Sequence, residues 1–147
     1  MNSCRELQQV LHREIPLTRI MGIRVAHCDE LRVTLTAPLE PNINHKCTAF
    51  GGSLYSVAVL CGWGFIYQQM KLQQLTGHIV IQHSEVNYLF PVDGTIEASC
   101  YLEDRSVLDR FINIYKRKAR SRIHLQTKVT FQNRDAVIFN GQYVVHN

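Results

Sequence analysis

No two of the five cysteines stand in a C-x-x-C pair: Cys4, Cys28, Cys47, Cys61 and Cys100 are odd in number and widely spaced. That excludes a zinc ribbon or a dithiol redox centre and fits reduced thiols in the cytoplasm. Seven histidines are present, yet none pair at the i, i+4 spacing of a metal-binding helix, so no metal is expected. Charge is scarce, at 19% of residues against 46% hydrophobic, which excludes a disordered tail and supplies a core. Residues 1–14 are polar and amphipathic, without the apolar h-region of a signal peptide. A membrane span needs about 20 apolar residues, and the longest candidate, 54–67, is interrupted by Ser56, Gly62 and Gly64. There is no linker rich in Gly, Pro or Ser and no βαβ repetition, so residues 1–147 read as one domain.

What the chain does have is a polar loop running into an apolar helix, through N-I-N-H-K-C-T-A-F-G-G-S-L at residues 42–54. A Gly-Gly pair at a helix start leaves backbone N–H groups uncovered, and the helix dipole adds partial positive charge. Such a place holds an anion, a phosphate, or a thioester carbonyl oxygen as it becomes an oxyanion. The helix from residue 53 to about 73 lacks a polar face over its first turns and must be wrapped by other elements.

The rest of the chain supplies the wrapping. Ser3 and Glu6 form a capping-box pattern ahead of a helix over 3–14, which Pro16 ends. Residues 23–28 and 31–37 read as strands around the turn Asp29-Glu30. After the central helix, 78–90 is a long strand, and Asp93-Gly94 suits a tight hairpin into 95–102. Residues 107–118 form a short helix or loop, 123–131 alternates as a strand, 133–135 turn, and 136–145 make the last strand. Two strands, one buried helix and four strands with short turns specify an α+β chain in which an antiparallel sheet curls around the helix.

The formal charge of +4 is concentrated in Lys116, Arg117, Lys118, Arg120 and Arg122. Such a run is either a solvated helix end, where cations suit the dipole, or a seat for cofactor phosphates. Nucleic acid is not expected, because no recognition motif or interleaved aromatics accompany it.

The loop-Gly-Gly-helix segment within this element order resembles the hot-dog fold. More closely, the chain is similar to the thioesterase-like hot-dog domains fused behind an N-terminal acetyltransferase domain in some bacterial proteins, here standing alone. The resemblance rests on Ile15-Pro16-Leu17-Thr18, Met21-Gly22-Ile23, Ala37-Pro38-Leu39, Pro41-Asn42-Ile43-Asn44, Thr48-Ala49-Phe50-Gly51-Gly52-Ser53-Leu54, Gly62-Trp63-Gly64, Tyr88-Leu89 and Pro91-Val92. It implies an acyl-CoA or acyl-carrier-protein thioesterase, with coenzyme A or phosphopantetheine entering only as part of the substrate. It also implies a homodimer, or a tetramer built from it, with pockets at the subunit interface. Two other readings stay open: a non-catalytic acyl-thioester binding module, and an accessory domain of an acyltransferase.

Thioester hydrolysis needs a polarised carbonyl, a water and a group that orients or deprotonates it. Gly51 and Gly52 are the expected oxyanion donors. Asn44 falls where related hot-dog thioesterases carry a functional polar residue, and is expected to hold the water. Asn42 either contacts substrate or shapes the loop through an Asx turn. Ser53 caps the helix or, with a base, serves as nucleophile. Phe50 stands where many relatives have His, and Val57-Ala58-Val59-Leu60-Cys61 holds none of the acid that many place there. A substitute base is sought in the strand at His83, Ser84 and Glu85, where alternation puts His83 and Glu85 on one face and Ser84 on the other. The competing account makes this an edge or dimer-contact strand. Asp29, His45 and Cys47 are weaker candidates, and Trp63, Phe65 and Tyr67 serve as core or acyl-pocket lining.

Overall fold

The computed structural model describes residues 2–147. Helix α1, Ser3–Glu14, packs its buried Leu7, Val10 and Leu11 inward. Its cap is Asn2, whose side chain accepts from the Arg5 N–H at 2.8 Å; the expected Ser3 box is not the cap. Pro16 stops α1 but opens a single further turn, α2, Leu17–Ile20. Strands β1, Arg24–Cys28, and β2, Arg32–Ala37, form an antiparallel pair.

The central helix α3 spans Gly51–Leu72, starting two residues earlier than the sequence pattern placed it. After it come β3, His78–Tyr88; β4, Ile96–Tyr101; α4, Arg105–Lys118; β5, Arg120–Phe131; and β6, Arg134–His146. All six strands join one antiparallel sheet in the order β1-β2-β4-β5-β6-β3. The hairpin expected at Asp93-Gly94 is therefore absent. β3 pairs with β6 and β4 with β2 and β5, so this turn carries the chain across two strands. Tertiary anchors override the local turn signal there: the Leu89 N–H reaches Ala136 O, and Val92 O accepts from the Ala49 N–H. Residues 105–118 form a complete helix, with Asp104 capping it through the Ser106 N–H.

The sheet curls around α3, which touches β2, β3, β4, β5 and β6. Val57, Ala58, Cys61 and Phe65 are fully buried; burial of a Val or Phe side chain contributes about 1.5–3 kcal/mol each. The packing is tight enough that a Cβ on Gly62 would stand 2.2 Å from the Tyr143 hydroxyl oxygen, which donates to Val59 O. Tyr55, Val59, Trp63 and Tyr67 lie along a half-buried stripe of α3. Among the described residues, no helix is long and apolar enough to cross a membrane.

Candidate active site at the head of the central helix

The loop before α3 is built by its two asparagines. Asn42 is buried, and its Nδ2 donates to Met21 O at 2.9 Å and Pro38 O at 2.8 Å. Its own carbonyl accepts from the Phe50 N–H. Asn42 thus ties the α2 end, the β2 exit and the helix entrance together, which is a loop-shaping contact set. The Asn44 Oδ1 accepts from the N–H groups of Lys46 and Thr48, while its Nδ2 donates to Thr48 Oγ1 at 2.8 Å. These bonds hold Cys47 in a left-handed conformation, φ 64°. With both ends of its amide occupied inside the loop, Asn44 does not stand ready to hold a water as expected.

This frame delivers Phe50 in an extended conformation, and α3 then begins with no side-chain cap. The N–H groups of Ser53 and Leu54 turn back to Phe50 O. Those of Gly51 and Gly52 have no acceptor among the described residues. Two free donors thus stand at the positive end of a 22-residue helix, in a partly exposed turn. Phe50, exposed, lays its ring against Gly52, where a Cβ would come within 2.5 Å of it. Tyr88 leans over Gly51 from the end of β3 and donates to Gly51 O at 3.2 Å; partial burial raises its pKa, keeping the hydroxyl neutral. Ser53 is not the cap, and its hydroxyl has no partner among the described residues.

The other expected residues lie elsewhere. Ser84 points inward, where its Oγ meets the Tyr55 hydroxyl at 2.8 Å. His83 and Glu85 share a face as the alternation required, but it is the convex face turned away from α3. Within one protomer they do not serve as base for Gly51 and Gly52. Lys116, Arg117 and Lys118 close the last turn of α4, and Arg120 and Arg122 open β5. Lys116 Nζ donates to Gln73 Oε1, next to the far end of α3. A 22-residue helix is about 33 Å long, so the basic run does not share the site in its own protomer. Cations at the C-terminus of α4 match the helix-end account. Tyr88 and Tyr55 are the site residues that the sequence reading passed over. The signal for Tyr88 was an aromatic ending a long strand just before Pro91.

The described geometry matches known proteins over nearly its whole length. A solved protein of unknown function from Chlorobaculum tepidum is 34% identical, with TM-score 0.91, covering 98% of this chain and 94% of that one. A "putative thioesterase" from Shewanella oneidensis is 27% identical, with TM-score 0.86 and coverage of 99% and 98%. A thioesterase from Haemophilus influenzae shares the fold at TM-score 0.74 and 15% identity, covering 100% and 92%. The six-stranded sheet around one long helix is the hot-dog fold of these neighbours. The model of the YiiD_C family, described as "Putative thioesterase (yiiD_Cterm)", matches residues 4–147, and the chain belongs to that family.

Proposed function

We propose that this chain hydrolyses acyl thioesters at the head of α3. The observation that carries the proposal is the pair of free N–H groups at Gly51 and Gly52, within a family described by thioester hydrolysis. The thioester carbonyl oxygen accepts from these donors. Water adds to the carbonyl carbon, the developing negative charge is held by the two N–H groups and the helix dipole, and the intermediate collapses with loss of the thiolate. The thiolate takes up the proton released by the water, giving a carboxylic acid and a free thiol. The hydroxyls of Ser53, without a partner, and Tyr88 are the side chains at this turn with capacity to hold the water.

Coenzyme A or an acyl carrier protein supplies the thiol carrier, and the working form is a homodimer. Five unpaired cysteines suit a reducing cytoplasm. The test is a panel of acyl-CoA and acyl-phosphopantetheine thioesters scored for both binding and free thiol. Thiol release from at least one is expected; none from the whole panel overturns the proposal. The absence of any Asp or Glu from α3 favours a second reading, a binding module. The same panel recognises it as saturable binding without turnover. An accessory role in acyl transfer appears as thiol release that requires an added amine or carrier acceptor.

A further inference from the structure

Strand register brings together two histidines that lie far apart in the sequence. His78 opens β3 and His146 closes β6, and their Cα atoms are direct partners in the antiparallel ladder. Residues opposed in this way point to one face of the sheet, with Cβ atoms about 4.5–5.5 Å apart. Here it is the outer face: the adjacent Val145 is fully buried, whereas His78 is exposed and His146 half-buried. Their ring centroids stand 5.4 Å apart, with the planes tilted by 39°. His78 follows the C-terminal end of α3, whose other end carries Gly51. The chemistry at Gly51 makes no use of the pair.

Both imidazoles sit on backbone held from behind. Tyr115 Oη donates to Thr76 O at 2.6 Å, and a Cβ on Gly77 would stand 2.3 Å from the same hydroxyl oxygen. The Asn147 N–H donates to Ala119 O at 3.1 Å, which fixes the chain after His146. The ring of His146 is oriented as well. Its Nδ1 lies 3.2 Å from Asn147 O. A carbonyl only accepts, so in the neutral ring Nδ1 carries the proton and Nε2 keeps its lone pair. A carbonyl on the far nitrogen is a usual partner of a metal-bound imidazole.

We propose that His78 and His146 chelate one imidazole-preferring divalent cation, such as zinc, and so clip the edge strand β3 to β6. The spacing fits. A zinc–nitrogen bond of about 2.0–2.1 Å sets the metal about 3.2 Å from each ring centroid. Two rings at the tetrahedral angle then have centroids about 5.2 Å apart, beside the 5.4 Å found. The torsion that aims Nε2, χ2, is broad in histidine, so both rings can turn to one point. No third His, Cys, Asp or Glu joins the pair among the described residues, and water completes the shell, as at an open site. Neutral nitrogen donors do not suit magnesium or calcium, which take oxygen. Arg120, in register with His146 on its other side, is the cation that the two imidazoles outweigh. A metal bound by the folded state alone stabilises it by mass action.

Zinc titrated calorimetrically into the untagged full chain tests the site. Cys47→Ser is carried in every sample, because that exposed thiol would also take zinc. One zinc per chain is expected. Binding should weaken roughly tenfold or more in His78→Ala and in His146→Ala, with no further loss when both are replaced. Saturating zinc is expected to raise the melting temperature of the Cys47→Ser chain and to leave that of the added His78→Ala variant unmoved. Copper in place of zinc reads the Cys47→Ser chain with both histidines present, free of any folding defect in the histidine variants. Its electron paramagnetic resonance is expected to show splitting from two imidazole nitrogens. Absent zinc binding, binding as tight in both single variants as with the pair intact, or copper held through fewer than two nitrogens overturns the proposal. Thiol release at Gly51 is a separate question that none of these outcomes touches.

Discussion

Gly51 occupies the first position of α3, where its N–H can be deleted with little harm to the helix. Proline is tolerated at that position. Phe50, at φ −62° and ψ 135°, already has the extended conformation that a residue before proline requires. The nearest side-chain atom to a Cβ at Gly51 is in the Tyr88 ring at 3.7 Å, an ordinary contact. Gly51→Pro is therefore expected to melt close to the native temperature while kcat falls roughly a hundredfold to a thousandfold, the usual effect of losing one oxyanion donor. Thiol-release kinetics beside a thermal melt check this, and an unchanged kcat removes Gly51 from the oxyanion hole. Asn42 predicts the opposite pattern. Asn42→Ala strands the buried carbonyls of Met21 and Pro38 and is expected to lower stability by about 2–4 kcal/mol in urea unfolding. The folded fraction should keep its kcat; native stability with lost activity would return Asn42 to the substrate. Gly51 and Gly52 could be read from sequence because an uncapped helix start is a local property. The partners of Asn42 could not be read there, because the carbonyls that claim its amide come from residues 21 and 38.

The central helix was legible for a similar reason, as a run without a polar face, and so were six strands from their alternation. The order of those strands was not. Asp93-Gly94 carries a strong hairpin signal, yet β3 and β4 are separated by β5 and β6, since strand order is decided by which faces can be buried together. The same fact hid which way His83 and Glu85 face. Alternation gives two faces, and only the packing of α3 says which one is inside. Wrapping the helix so completely has a measurable consequence. Burial pushes the Cys100 thiol from an ordinary 9.0 up to about 12, and burial also raises Cys61 and Tyr143. For each, the folded pKa lies above the unfolded one, so the folded state binds more protons at alkaline pH. Their contribution is fully present below about pH 9 and is lost as pH rises towards about 12. Urea midpoints are expected to fall steeply across that window, and Cys100→Ala should flatten the slope. A native slope unchanged by Cys100→Ala would show that this thiol is not protected by the core.

The homodimer proposed as the working form offers two ways to seat a substrate's phosphates, within one copy or across two, and single variants cannot separate them. In one protomer Lys116 meets Gln73 at the far end of α3 from Gly51, so a basic run that holds phosphates for the Gly51 site would do so from the other copy of the proposed homodimer. Consider co-expressed chains, one carrying Gly51→Pro and the other Lys118→Glu with Arg120→Glu. If the basic residues act in trans, a mixed dimer concentrates both lesions in one site and leaves the second site with native donors and native cations. If they act in cis, each site in the mixed dimer has one lesion and neither works. Each parent homodimer is defective in either case, the first in kcat and the second in KM for acyl-CoA. The second defect should also shrink at high ionic strength, because exposed phosphate contacts are screened there. Recovery of thiol release in the mixed dimer, at substrate levels where neither parent turns over, is the expected outcome. Its absence, with mixed dimers verified by mass, would place the basic run outside the site and return it to the solvated end of α4.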